Sequence, residues 1–105
     1  MNNLKNLISL AHEFVPKISC KEFTANQKQF LIIDVREGNE IQETGTIAGA
    51  LNIPRGLIEM KLVPGSDGLN ADTPIVVYCG GGSRASLAGK TLKEIGFSDV
   101  QNLEG

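Results

Sequence analysis

Apolar residues along this chain keep two alternating rhythms, one helical and one strand-like. Leu4, Leu7, Ile8, Ala11 and Phe14 recur at helical spacing and predict a helix over residues 3–14 with one apolar face. Pro16 ends it, since the residue before a proline is pushed out of the helical region. Ser19 followed by Glu22 has capping-box spacing, so a short helix is expected from residue 20 to about 27. Leu31-Ile32-Ile33-Asp34-Val35 is an apolar run interrupted only by Asp34, the profile of a strand buried on both faces. Residues 37–43 predict one or two helical turns closed by Gly45, and residues 50–53 a short strand stopped by Pro54. Residues 57–62 read as another short helix, and 64–74, with Pro64, Gly65, Gly68 and Pro74, as a loop. Ile75-Val76-Val77-Tyr78 is the strongest strand signal, β-branched and then aromatic. Ala85, Ala88, Leu92 and Ile95 predict a helix over residues 83–95 ending at Gly96, and residues 99–102 a last short strand.

Strands alternating with helices imply an α/β fold, a small parallel sheet flanked by helices on both faces. The 105 residues suffice for one domain, with residues 1–16 as an N-terminal helical extension. The chain stops at Gly105 just after a strand, where a covering helix is ordinarily expected, so its end reads as a truncation.

Composition then narrows the chemistry. Ten basic residues against twelve acidic give a net charge of −2, with no Lys/Arg block, which argues against nucleic acid or an anionic membrane as partner. No apolar run approaches the about 18 residues of a membrane span. Two cysteines, Cys20 and Cys79, do not make a disulfide framework, and with no secretion signal reduced thiols in the cytoplasm are expected. One histidine and two distant cysteines cannot build a zinc site, and no cofactor is expected.

In open α/β sheets ligands gather at the carboxyl ends of strands. Two polar clusters fall there: Asp34-Val35-Arg36, and Cys79-Gly80-Gly81-Gly82-Ser83-Arg84. Three glycines remove every Cβ from the second turn, so that backbone N–H groups can curl around one point. The helix starting near Ser83 adds its unpaired N–H groups and positive dipole end, and Arg84 a full charge. Such a bowl holds an anion and favours the thiolate of a cysteine at its lip. The plainer reading, a small buried hydrophobe after a strand, fits Cys79 alone but not the glycines and arginine behind it. Two nucleotide motifs are weak. Gly80-x-Gly82-x-x-Ala85 has too little chain after it for a dinucleotide fold, and Gly89-Lys90-Thr91 lies mid-helix without the earlier glycine of a phosphate loop.

Asp34-Val35-Arg36-Glu37, Glu40, and Gly45-Thr46-Ile47-Ala48-Gly49-Ala50-Leu51-Asn52-Ile53-Pro54 resemble the amino-terminal signature of the rhodanese family, D-x-R, an acidic stretch, then G-H-I-x-G-A-x-N-I-P. Cys79 to Arg84 resembles its active-site loop, C-x-x-G-x-R, and Asn102-Leu103-Glu104-Gly105 the start of its closing N-L-x-G-G segment. Thr46 stands where the family usually has histidine, outside the catalytic loop, so a local hydrogen bond is expected to differ. The family's last helix is missing after Gly105, which should expose apolar surface.

The resemblance implies a sulfurtransferase. Cys79 would take a sulfane sulfur from a small anionic donor such as thiosulfate and pass the persulfide sulfur to cyanide or a thiol. The backbone N–H groups of residues 80–84 would hold the persulfide, and Arg84 would orient the loop and draw in the anion. Asp34 and Arg36 read as a charged pair organising the sheet edge, with Glu43 as a further partner of Arg36, and Arg55 reads equally as charge at the rim or as a solvated surface arginine. His12 and Cys20 receive no role. The alternatives are a persulfide carrier or regulatory module working with a partner protein, and a cysteine-dependent phosphatase or arsenate reductase. The related phosphatases have a loop one residue longer than the six residues from Cys79 to Arg84.

Overall fold

The computed structural model describes residues 4–62, 64–65, 69–79 and 83–103. Five parallel strands, β1 (Lys17–Ile18), β2 (Leu31–Asp34), β3 (Leu51–Asn52), β4 (Ile75–Tyr78) and β5 (Val100–Leu103), form one sheet in the order β1-β5-β4-β2-β3. Helices α1 (Leu4–Phe14), α2 (Cys20–Asn26), α3 (Gly38–Thr44), α4 (Ile58–Lys61) and α5 (Ser83–Glu94) alternate with them. Alternate residues of a strand face opposite sides. Ile33, Ile75, Val77 and Val100 therefore join Val15, Ile58, Ala85, Ala88 and Leu92 in one core. Ile32, Val76 and Leu103 meet Ile18 of β1 and Phe23 of α2 in a second, smaller core. The expected two-faced α/β sheet is what forms.

Local chemistry sets the boundaries. Ser19 Oγ accepts the Glu22 N–H at 3.1 Å and starts α2 as its spacing predicted. Gly45, at φ +77°, closes α3 with its N–H on the Ile41 carbonyl. Gly96, at φ +121°, ends α5: its N–H reaches the Lys93 carbonyl and the Phe97 N–H the Leu92 carbonyl, while Phe97 is buried. The short helix expected over 57–62 is a 3-10 turn, Arg55–Leu57, running into α4. β1 was not expected. Two residues between Pro16 and the Ser19 cap carry no periodicity, and pairing with Asn102 and Leu103 makes the strand.

The N-terminal helix packs along α5. Gly89 permits this, because a Cβ there would lie 2.9 Å from Val15 Cγ1 and 3.3 Å from Val100 Cγ1. The glycine that resembled part of a phosphate loop is a packing site.

Candidate active site

The register places Asp34 beside Tyr78, so the carboxyl ends of β2 and β4 are adjacent and both polar clusters open at one edge of the sheet. Asp34 and Arg36 are buried there. Arg36 Nη2 donates to Asp34 Oδ2 at 2.8 Å and Nε to Oδ1 at 3.1 Å, while its backbone N–H donates to Oδ1 at 3.0 Å. The guanidinium also gives Nη1 to Thr44 Oγ1 and Nη2 to the Gly45 carbonyl, both at 2.7 Å, and lies over the Tyr78 ring. Thr46 Oγ1 donates to Asp34 Oδ2 at 2.7 Å, so the hydroxyl at the position of the family's usual histidine supplies a direct bond to this carboxylate. Asn52 Nδ2 donates to the carbonyls of Asp34 and Arg36 and ties β3 to the pair. Burial works to raise the Asp34 pKa, but the hydrogen bonds from Arg36 and Thr46 outweigh it and hold the carboxyl below its ordinary value. Its bond to Asp34 pushes Arg36 the other way.

Glu43 does not share Arg36, contrary to expectation. The guanidinium turns inward onto Asp34 and the end of α3, and Glu43 sits on the exposed side of that helix.

Cys79 directly follows β4 and is 2% exposed, packed with Val77, Ala85 and Ala88. The Ala85 N–H donates to its Sγ at 3.4 Å. The sulfur thus lies on the floor under the first turn of α5, where helical N–H groups lack intrahelical partners, rather than at the lip expected from sequence. Gly80, Gly81 and Gly82 lie outside the described residues. The backbone of Ser83 opens α5 and that of Arg55 begins the 3-10 turn after β3, but neither side chain is among those described.

Arg84 lies in the first turn of α5. Its Nη1 and Nη2 donate to Glu40 Oε1 and Oε2 at 2.5 and 2.8 Å, with the two side chains 40% and 36% exposed. Its charge, expected to draw in an anion, is already matched. Glu40 Oε1 also accepts the Glu37 N–H and completes the capping box of α3. The bond from Arg84 and then that from Glu37 lower the Glu40 pKa from 4.5 to about 2. The bond to Glu40 in turn raises Arg84, with a smaller contribution from the charge of Cys79.

Sequence reasoning left Glu40 inside an acidic stretch, because nothing local marks a partner 44 positions away. It also gave His12 no role. His12 Nδ1 lies 3.1 Å from Ser86 Oγ, which accepts from Asn102 Nδ2 at 2.8 Å, a polar link between α1, α5 and β5. Among the described residues no cluster of three or more His, Cys, Asp or Glu could hold a metal, Cys20 and Cys79 form no disulfide, and no helix is long and apolar enough to cross a membrane. A groove of about 570 Å³ lined by Gln27, Phe30, Ile32 and Ala48 lies away from Cys79.

A parallel sheet with a cysteine buried between strand end and helix start defines a class of cysteine-centred α/β domains. The chain belongs to the rhodanese-like domain family, whose family model matches residues 19–105. It is 35% identical over 85 residues to the uncharacterized protein YqhL of Bacillus subtilis, covering 81% of this chain and 64% of that one. It is 33% identical over 92 residues to the putative sulfur carrier protein YrkF of the same organism, covering 85% of this chain and 47% of that one. The chain thus spans about half to two thirds of the length of these relatives. Among solved structures, the polysulfide-sulfur transferase homodimer of Wolinella succinogenes matches with a TM-score of 0.74 at 32% identity, over 96% of this chain and 76% of that one. A Rhodopseudomonas palustris protein of unknown function, described as a possible tyrosine phosphatase, matches with a TM-score of 0.86 at 28% identity, over 100% of this chain and 86% of that one.

Proposed function

We propose that this domain is a sulfurtransferase working through a persulfide on Cys79. The observation that carries the reading is the Cys79 Sγ beneath the first-turn N–H groups of α5, with the Ala85 N–H directed at it. A thiolate there is met by backbone donors and the positive end of a helix dipole. The Cys79 thiolate attacks the outer sulfur of thiosulfate. A Cys79–S bond forms, the donor's S–S bond breaks, and sulfite leaves with the bonding pair. Cyanide or a thiolate then attacks the outer sulfur of the persulfide and Cys79 leaves as thiolate, closing a ping-pong cycle. The N–H groups of residues 80–84 hold the charged outer sulfur.

The relative described as a putative sulfur carrier supports delivery to a partner protein as the second half-reaction. The structural match to a possible tyrosine phosphatase makes aryl-phosphate hydrolysis the competing chemistry. Intact-protein mass spectrometry of reduced protein after incubation with excess thiosulfate separates them. A gain of one sulfur, reversed by dithiothreitol and absent in Cys79→Ser, is the expected result. Folded protein that gains no sulfur yet hydrolyses p-nitrophenyl phosphate would overturn the proposal in favour of the phosphatase.

A further inference from the structure

We infer that Glu40 sets the donor class of this site by neutralising Arg84, so that singly charged persulfides are preferred over doubly charged sulfur oxyanions such as thiosulfate. The inference rests on the sulfur-transfer reading and names the substrate class of the same site. Arg84 is the cationic side chain closing the loop that begins at Cys79, in the first turn of the helix whose Ala85 N–H donates to the Cys79 sulfur. Both of its terminal nitrogens are nevertheless bonded to the two oxygens of Glu40, a bidentate pair with two parallel charge-assisted bonds. Glu40 is itself fixed, because Oε1 also caps α3 through the Glu37 N–H. The other cation described at this edge, Arg36, is paired with Asp34. Around the pair α3 presents Glu37 at its N-cap and Glu43 on its outer side, both exposed, and no basic residue. Among the described residues at this edge, an arriving donor therefore meets backbone dipoles and matched ion pairs instead of an unpaired cation.

The balance differs between donors. Thiosulfate brings two negative charges and releases sulfite. The persulfide of a small thiol brings one and releases the thiolate, and either leaves the same persulfide on Cys79. Coulomb energy scales with charge, so the factor by which an unmatched guanidinium favours the persulfide acts squared on thiosulfate. Glu40 is a specificity-determining residue that acts through Arg84, and it need not touch the reacting atoms.

The test compares kcat/KM for thiosulfate with that for 2-hydroxyethyl persulfide at low salt. Glu40→Gln keeps a capping-box acceptor and removes the charge. It is expected to raise the thiosulfate-to-persulfide ratio by about threefold, an effect that shrinks towards unity in 1 M salt. Arg84→Gln leaves Glu40 unmatched and is expected to lower the ratio by about as much. Glu43→Gln, on the same helix but outside the pair, should move it by less than about twofold. If Glu40→Gln does not fold, the direction seen in Arg84→Gln decides. A ratio unchanged in folded variants, or an equal loss for both donors, would make the pair a structural latch and overturn the inference while leaving sulfur transfer intact. If the unmodified protein takes sulfur from neither donor, both readings fall.

Discussion

Thr46 and Asp34 show how much one hydroxyl carries at this edge. The Asp34 carboxylate is fully buried, and Thr46 supplies one of the short bonds that keep it charged. Thr46→Val keeps the shape and removes the donor. Loss of a bond to a buried charged group is worth about 1.5–3 kcal/mol, and a urea titration at neutral pH should show a lower midpoint with unchanged slope. Cys79 differs in kind. Cys79→Ser should leave the fold intact, as judged by the melting curve, and remove sulfur uptake. Arg36 and Asp34 were legible as a pair because they are two residues apart and sit at a strand end. Glu40 and Arg84 were not, since sequence shows each charge but not the crossover that joins them.

Between elements, the docking of α1 on α5 turns on Gly89 and on the polar link through Ser86. A glycine in the middle of a helix is ordinarily worse than alanine by about 1 kcal/mol, so Gly89→Ala would stabilise an isolated α5. Here the added methyl meets the β-branched Val15 side chain, which has little room to turn. The melting temperature is therefore expected to fall. Ser86 is wholly buried between His12 and Asn102, and Ser86→Ala leaves their polar groups short of a partner, at about 1–3 kcal/mol. Deleting residues 1–14 from the Ser86→Ala protein should then add less instability than deleting them from the unmodified one, because the link is already broken. The helices and the β2 and β4 strands were readable from periodicity. β1 was not, because a two-residue strand exists only through its neighbour.

At the scale of the whole molecule, acid should loosen the fold by a route the site dictates. Glu40 and Asp34 both titrate below their ordinary values, 4.5 and 3.8, in the folded chain. A carboxylate depressed by folding contributes stability that is present above its unfolded pKa and lost as pH falls toward its folded one. The urea midpoint should therefore decline as pH drops from 4.5 toward about 2, and the decline should be shallower in Glu40→Gln. A midpoint equally steep in that variant would remove Glu40 from the account. The fold class was legible from the sequence because strand and helix patterns alternate cleanly. The layout of the site was legible only in part, because a parallel sheet brings together residues that the chain keeps far apart.

That separation also orders events in time. Asp34, Arg36, Thr44, Thr46 and Asn52 bind one another across at most 18 positions, so the first half of the site closes with short loops. Cys79 and Arg84 reach it only when β4 zips onto β2, and the Glu40 latch spans 44 positions. Long-range closures of this kind come late in folding. On a ribosome, the carboxylate half is complete in sequence before the thiol has been synthesised. The strand against which β4 docks is therefore encoded ahead of the sulfur, and Cys79 is buried only once β4 has paired and α5, which supplies the Ala85 N–H, has packed behind it.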